Sequence, residues 1–425
     1  FVMLFAMVVA YRSSKDPLHP LMYLGPMMIY VHAYSPGVLL YRGVLLNFFR
    51  DKDDLARALI LVLFGVTCFC LGVLRACRGA PRGTRRLTAL TPRVRRRLQG
   101  GSFLLGGLGL AVFALSVAKG GGIAAIYGTA KANTPRLVNS GYWVDAPMLT
   151  IPALLMYLMS QQGRRFRPRA VICMLAFALP HLAYGFLGAR RGPSFLILAI
   201  LFFGWYVLSG RRPAIRTTLM VVGGLGLLML FLATYRKQIY IGSEFELQQS
   251  SFEEALVPTQ VTPGDTGIFT LGLIVTSMRS QRHYWGLRYF TQLVVRPIPR
   301  QIWPTKYKDL GFESMASQPG SGGIPRDEWL SAVGWIPEAG SASGLVADSF
   351  LEFRWAGLLV CYSLGLLYGY LWRRCVSSSG VWSLLYLEAA SLSVYIPTQG
   401  VCSAWGYRFL LFAIPTVLSW RWLIH

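Results

Sequence analysis

Long apolar runs, separated by polar and often Arg-rich segments, recur along the whole chain. A helix that crosses a membrane needs about 20 mostly apolar residues. The pattern therefore predicts an all-α polytopic membrane protein, and because the first run is incomplete we expect about 11–12 transmembrane helices. The eleven predicted spans cover residues 1–11, 20–40, 55–74, 101–118, 146–160, 170–187, 194–208, 217–235, 345–371, 381–396 and 405–420.

One long polar stretch interrupts this pattern before the last three spans. Residues 1–235 are predicted to form about eight transmembrane helices with short loops, 236–343 an insertion, and 344–425 the last three transmembrane helices. Connections between elements are usually about 4–6 residues long, so an insertion of this size is expected to be functional. Residues 269–295 mix apolar residues with arginines at helical spacings, which predicts amphipathic helices lying on the membrane surface.

The composition excludes an ordinary soluble enzyme and a disordered chain. Hydrophobic residues make up 54% of the sequence and charged residues only 14%, whereas soluble domains average about 25% charged residues. The mean hydropathy is +0.46. None of the 7 cysteines falls in the insertion, which excludes a disulfide framework or a cysteine-based zinc site there.

The basic residues predict the orientation in the membrane. The chain has 42 Lys and Arg against 18 Asp and Glu, a net charge of +24. About half of the basic residues lie in connections on one face, which we assign to the cytoplasm because short cytoplasmic loops are rich in Lys and Arg. This explains the clusters without nucleic acid as a partner. They comprise the arginines of residues 75–97 together with Arg164, Arg165, Arg167, Arg169, Arg211, Arg212, Arg216, Arg373, Arg374, Arg421, Arg12 and Lys15.

Orientation does not explain the arginines near the membrane on the opposite face. Arg408 lies inside an apolar run, where a guanidinium costs about 3 kcal/mol or more unless it is paired or solvated. Guanidinium groups bind phosphate bidentately and keep their protons, so we predict that these residues bind a polyprenyl diphosphate with no metal and no other cofactor. They would also stabilise the charge of a departing diphosphate. The predicted set is Arg190, Arg191, Arg236, Arg288, Arg296, Arg300, Arg408 and Lys306, of which Arg191, Arg300 and Arg408 are the catalytic candidates.

Structural roles are the alternative for the same residues. Arg408 could extend towards lipid headgroups, and Arg190 and Arg191 could anchor a tight turn between two spans. Asp51, Asp53 and Asp54 also cluster on this face, but Arg50 and Lys52 are interleaved with them, and we interpret the segment as a solvated loop.

A carboxylate that could deprotonate an acceptor hydroxyl group is predicted where the chain re-enters the membrane. Asp348 and Glu352 are one helical turn apart and would lie on one face of a helix. Asp348 is the first candidate for the base, and Glu352 or Glu338 the second. The alternative is a structural pair of either acid with an arginine, and His283 is a weaker candidate.

Three segments resemble the oligosaccharide repeat-unit polymerases of the Wzy type, which make O-antigen and exopolysaccharide. Arg296-Pro-Ile-Pro-Arg-Gln-Ile-Trp-Pro-Thr-Lys306 resembles the outer-loop segment of this family, and Gly188-Ala-Arg-Arg-Gly-Pro193 is similar to its short Arg-bearing turn. Ala347-Asp-Ser-Phe-Leu-Glu-Phe-Arg-Trp-Ala-Gly357 resembles the entry to its late helix, although family members often have Phe-Gly where this chain has Phe353-Arg354. Many spans with one long insertion before the last three also match the family's layout.

The resemblance implies a GT-C-like, metal-independent, inverting glycosyltransferase at the periplasmic face of a bacterial inner membrane. The donor would be a glycan on undecaprenyl pyrophosphate, and the acceptor a single lipid-linked repeat unit. The implied partners are these lipid-linked glycans, membrane lipid and a polysaccharide co-polymerase that regulates chain length.

Other function classes remain open at this stage. A ligase of similar architecture would transfer the glycan to a lipid A core or a protein, and the sequence does not separate these acceptors. A flippase or transporter usually has ionisable residues near the midplane and two related halves, whereas here the charges concentrate at the faces. A receptor or scaffold subunit without chemistry is the third class.

Overall fold

The described part of the chain is built from helices. The computed structural model describes residues 1–49, 51–80, 90–127, 145–163, 167–187, 191–209, 212–234, 263, 265–299, 301–311, 322–338, 341–378 and 380–424. Within these ranges there are α-helices, short 3₁₀ and π-helical turns, and no strands. The α-helices are α1 Val2–Ser14, α2 Pro20–Ile29, α3 Ser35–Tyr41, α4 Val44–Phe48, α5 Lys52–Cys77, α6 Pro92–Lys119, α7 Ile123–Tyr127, α8 Thr150–Ser160, α9 Pro168–Leu182, α10 Arg191–Ser209, α11 Ile215–Thr234, α12 Thr266–Ser280, α13 Leu287–Phe290, α14 Lys306–Asp309, α15 Arg326–Val333, α16 Gly344–Phe353, α17 Gly357–Ser377, α18 Val381–Ser391, α19 Tyr395–Gln399 and α20 Tyr407–Ile424.

Several of these helical segments have the length and composition of membrane spans. Among the described residues, 5 segments are long and apolar enough to cross a bilayer, and three shorter apolar helices accompany them. These features support the predicted class of all-α membrane protein, while the number of spans and the GT-C-like arrangement stay predictions. The long segments are Lys52–Cys77, Pro92–Lys119, Pro168–Leu187, Gly192–Ser209 and Gly344–Ser377, and the shorter ones are Val2–Ser14, Ala146–Ser160 and Ile215–Leu228.

The predicted span 345–371 is one continuous run in the sequence, but the structure turns sharply within it. Helix α16 ends at Phe353, and α17 begins at Gly357. Between them Arg354 has φ +52° and ψ −134°, a backbone conformation that glycine adopts most easily. Because Arg354 carries a side chain, the turn is formed at a cost in backbone strain.

Helices α5 and α17 pack against each other through glycines. A Cβ at Gly72 would lie 2.2 Å from the carbonyl oxygen of Tyr362, and a Cβ at Gly365 would lie 2.2 Å from that of Phe69. Small residues allow the backbones of membrane helices to approach closely. This contact fixes α17, and with it the preceding helix α16, on α5.

Helix α12 comes from the stretch predicted to lie on the membrane surface, and for this helix the prediction is wrong. All residues from Gly267 to Ser277 are buried, so α12 is enclosed on every side by protein. At its end Arg279 bonds to Asp54 at 2.6 Å and to Asp51 at 3.2 Å. The Asp54 side chain is only 12% exposed, so the acidic segment predicted to be a solvated loop anchors α12 to the start of α5.

The opposite end of the bundle carries residues assigned to the cytoplasmic face. Arg212 donates to the carbonyl oxygens of Ser14 and Lys15 and lies 3.7 Å from Asp16. The indole of Trp372, near the end of α17, donates to the same carboxylate at 3.2 Å. Because α5 and α17 run from the Arg279 end to this end, the two groups of charged residues are separated along the helices.

Candidate functional site

A buried ionic cluster, here called the Arg288 cluster, contains Arg288, Tyr289, Asp348 and Glu352. Arg288 Nη2 donates to Asp348 Oδ1 at 3.0 Å, and Nη1 lies 3.3 Å from Glu352 Oε1. The Asp348 Oδ2 atom accepts from the hydroxyl of Tyr289 and from the backbone N–H of Val401, each at 3.0 Å. The side chains of Arg288, Asp348 and Glu352 are 10%, 2% and 0% exposed. The sequence candidates Arg288, Asp348 and Glu352 are therefore brought together.

The Arg288 cluster joins three parts of the chain. The N–H groups of Trp285 and Gly286 donate to the carbonyl and to the carboxylate of Glu352, at 2.7 and 2.9 Å. Gly400 has φ +99°, and a Cβ there would lie 2.9 Å from Asp348 Cγ. The middle of the insertion, helix α16 and the loop after α19 are thus held by two carboxylates.

The electrostatics keep Arg288 charged and Tyr289 protonated. Burial disfavours the guanidinium charge of Arg288, but Asp348 and Glu352 outweigh that effect and raise its pKa above the usual value. Burial, reinforced by the charge of Asp348, raises the pKa of Tyr289 well above its usual value, so the phenol stays a proton donor. In this arrangement Asp348 is occupied by three donors and orients the backbone, and its role as a base stays a prediction.

A second group, the Arg296 cluster, consists of Asp145, Arg296 and Tyr407. Arg296 Nη2 donates to Asp145 Oδ2 at 3.2 Å, and the hydroxyl of Tyr407 donates to the same oxygen at 2.9 Å. The guanidinium carbon of Arg296 lies 4.3 Å from the centre of the Tyr407 ring, in cation–π contact. The Arg296 side chain is 35% exposed and that of Asp145 only 8%. The cluster thus presents a cation outwards and an acid inwards.

Lys306, predicted to assist phosphate binding, is buried and points at the backbone. Its ammonium donates to the carbonyl oxygens of Val295, Arg296 and Ile298 at 2.9, 3.1 and 2.5 Å. Arg296 and Ile298 each precede a proline, which has no N–H group, and the carbonyl of Val295 also accepts from the N–H of Ile298 at 3.1 Å. In this structure Lys306 therefore holds the main chain that carries Arg296.

Arg408 lies in a different setting at the start of α20. Its guanidinium carbon is 4.6 Å from the centre of the Tyr395 ring, and Nη1 donates to the carbonyl oxygen of Ala404 at 2.7 Å. Its Nε is buried without a hydrogen-bond partner, and no described carboxylate forms an ion pair with it. A Cβ at Gly192 would lie 2.5 Å from the Tyr395 hydroxyl, so the first turn of α10 packs against the same tyrosine. The first turn of α10 and Arg408, far apart in sequence, thus lie against the same tyrosine.

The remaining predicted residues are not part of these clusters as described. Arg190, Arg236 and Arg300 lie outside the described residues, and of Arg191 the structure describes only the backbone, at the start of α10. Glu338 is exposed, and its carbonyl oxygen accepts bonds from the N–H and hydroxyl groups of Ser341 at 3.1 and 2.8 Å. Among the described residues no group of three or more His, Cys, Asp or Glu side chains could hold a metal ion.

Sequence reasoning missed the partners of the arginines. Asp145, Tyr395 and Tyr407 were not singled out, although each contacts one of the predicted arginines. Asp145 had a usable signal, since it is the lone acid directly before the apolar run 146–160. No sequence signal pointed to Tyr395 or Tyr407, because aromatic residues are common at the ends of membrane spans.

The comparisons with known proteins give no match: no family model, no curated protein and no solved structure is similar to this chain. The resemblance to repeat-unit polymerases therefore rests on the three quoted segments and the layout of the spans.

Proposed function

We propose that the chain is a glycosyltransferase at the periplasmic face of a bacterial inner membrane, which polymerises undecaprenyl-pyrophosphate-linked repeat units into O-antigen or exopolysaccharide. In each cycle the growing glycan passes as a block to the acceptor hydroxyl of a new lipid-linked repeat unit. Undecaprenyl pyrophosphate is the leaving group, and the acceptor proton passes to a base. The chemistry proposed is metal-independent and inverts the anomeric centre.

The observation that carries the proposal is the setting of Arg408. A half-buried guanidinium with no carboxylate partner among the described residues has a charge to be balanced by something else. Arg408 lies over the ring of Tyr395, and the first turn of α10, which begins at Arg191, lies against the hydroxyl end of that tyrosine. A helix N-terminus favours anions, so the two features together support a bound diphosphate.

In the proposed site the arginines act on the leaving group. Arg408 and Arg296 bind the diphosphate oxygens and stabilise the charge that develops as the glycosidic bond breaks. The Arg288 cluster orients the segment that joins α19 to Arg408, because Asp348 holds the N–H of Val401 at 3.0 Å. Pyrophosphate is a good leaving group, so positioning and electrostatics contribute most of the acceleration.

The test uses purified full-length protein with a lipid-linked repeat unit and no added divalent metal. A ladder of longer glycans is expected, and EDTA is expected to leave it unchanged. Arg408→Lys should lose most of the ladder, because an ammonium cannot bind phosphate bidentately. Arg421→Lys, on the exposed far end of the same helix, is the matched control and should behave as the wild type.

Each other outcome assigns the protein differently. Full polymerisation by Arg408→Lys would remove this residue from the site, and loss of the ladder in EDTA would contradict the metal-free chemistry. Transfer of the glycan to lipid A core, without a ladder, would identify a ligase. Movement of the lipid-linked unit across vesicles, without a new glycosidic bond, would identify a transporter.

A further inference from the structure

We propose that Asp145 is a built-in counter-ion, which occupies the anion-binding edge of Arg296 until a diphosphate group displaces it. The inference rests on the proposed function, because it concerns how the same site accepts its anionic substrate. In this proposal Asp145 balances the charge of Arg296 before the substrate binds, and Tyr407 holds Asp145 in place.

The position of Asp145 is the first argument. It immediately precedes the helical turn Ala146–Leu149, where an Asp side chain usually caps the backbone N–H groups, yet it makes no capping bond. Instead one oxygen, Oδ2, accepts from both Arg296 and Tyr407. The carboxylate therefore pairs with Arg296, which lies 151 residues away along the chain.

Asp145 and Arg296 are joined by a single hydrogen bond, so another anion can replace Asp145. Only one guanidinium nitrogen bonds to the carboxylate, at 3.2 Å, and no second parallel bond is formed. With 35% of its side chain exposed, Arg296 can be approached from outside, whereas Asp145 is 8% exposed and lies behind it. A diphosphate carries more charge than a carboxylate and can bind the guanidinium through two oxygens, so it is the stronger partner.

The surroundings keep Arg296 in place during such an exchange. The Tyr407 ring supports the guanidinium at 4.3 Å, and Lys306 holds the carbonyl oxygen of Arg296 at 3.1 Å. Neither contact involves the carboxylate of Asp145. The arginine can therefore change its anionic partner without moving its main chain, and the displaced Asp145 keeps the Tyr407 hydroxyl as a donor.

Binding of inorganic pyrophosphate to the detergent-purified full chain at low salt tests the inference by calorimetry. Asp145→Asn removes the competing charge but keeps an oxygen for Tyr407, and should bind pyrophosphate about three- to fivefold more tightly than the wild type. Tyr407→Phe keeps the ring under Arg296 but leaves a displaced Asp145 without its remaining donor, and should bind pyrophosphate more weakly than the wild type. In an Arg296→Gln background, Asp145→Asn should give no gain.

Asp51→Asn is the matched control, because Asp51 is also paired with an arginine, Arg279, far from the Arg296 cluster. If it gave the same gain as Asp145→Asn, or if the gain persisted without Arg296, a general charge effect would replace the inference. Unchanged or weaker binding by Asp145→Asn, or tighter binding by Tyr407→Phe, would overturn it. If the inference were overturned but Arg408→Ala lost the pyrophosphate binding that the wild type shows, the proposed function would stand. If neither the wild type nor any variant bound pyrophosphate, both proposals would fall.

Discussion

Replacing Arg288 with glutamine would leave two buried carboxylates without their cation. Asp348 is 2% exposed and Glu352 0% exposed, so neither can recover hydration without local unfolding. Asp348 would keep Tyr289 and the N–H of Val401, and Glu352 would keep the N–H of Gly286. Removing one partner of a buried ion pair costs about 3–5 kcal/mol, and Arg288→Gln should lower the free energy of unfolding by that amount.

The net charge of the Arg288 cluster predicts a much smaller loss of stability for a substitution of Glu352. The cluster has two carboxylates for one guanidinium, so Glu352→Gln removes the surplus negative charge. The amide oxygen can still accept from Gly286, which donates to Glu352 at 2.9 Å. Glu352→Gln should therefore cost only about 1 kcal/mol, and the double variant Arg288→Gln, Glu352→Gln should be more stable than Arg288→Gln alone.

Reversible unfolding in mixed detergent micelles measures these free energies. The matched control is Arg282→Gln, because Arg282 is 40% exposed and its partner Glu328 is 23% exposed. A partly exposed bidentate pair contributes about 1 kcal/mol, so this control should lose much less stability than Arg288→Gln. Equal losses for Arg288→Gln and Arg282→Gln, or a Glu352→Gln loss as large as that of Arg288→Gln, would refute the reasoning from buried charge.

Three further substitutions test the backbone around the candidate site by the same unfolding measurement. Lys306→Met removes a donor from three carbonyl oxygens, of which that of Val295 keeps the N–H of Ile298, and should cost about 1–3 kcal/mol. Lys308→Met, on an exposed side chain of the same turn, should be neutral. Gly400→Ala places a Cβ 2.9 Å from Asp348 Cγ at φ +99° and should cost about 1–3 kcal/mol, and a stability equal to the wild type would contradict the observed geometry. Arg354→Gly should raise stability by about 1 kcal/mol, because glycine adopts φ +52° without strain, and a loss would show that the arginine side chain contributes more than the strain costs.

Much of the local structure was readable from the apolar pattern. The predicted runs 55–74, 101–118 and 146–160 fall within Lys52–Cys77, Pro92–Lys119 and Ala146–Ser160. Long apolar helices are read reliably because the bilayer requires a minimum length and internal hydrogen bonding. The turn at Arg354 was not predicted, because an apolar run gives no signal where a single backbone torsion angle changes sign.

The candidate site was readable only in part. The cost of an ionisable group in an apolar setting selected Asp348, Glu352 and Arg408 from the sequence, and the basic residues on the face opposite to the predicted cytoplasmic one included Arg288. The same reasoning assigned Lys306 to phosphate, whereas in the structure its ammonium binds three backbone carbonyls. Burial explains the difference, because an enclosed ammonium binds whichever acceptors surround it.

The sequence by itself determined the class of protein and the residues whose charge must be balanced, since both follow from the free energy of transferring side chains out of water. The tertiary structure alone decided which charges balance one another. Arg296 pairs with Asp145 from 151 residues away, and Arg279 pairs with Asp54 from 225 residues away. Arg408 lies against Tyr395 and has no acid partner within the part of the chain that the structure describes. Those partners are fixed by how the helices pack, and the spacing of residues along one chain does not encode the distances between helices.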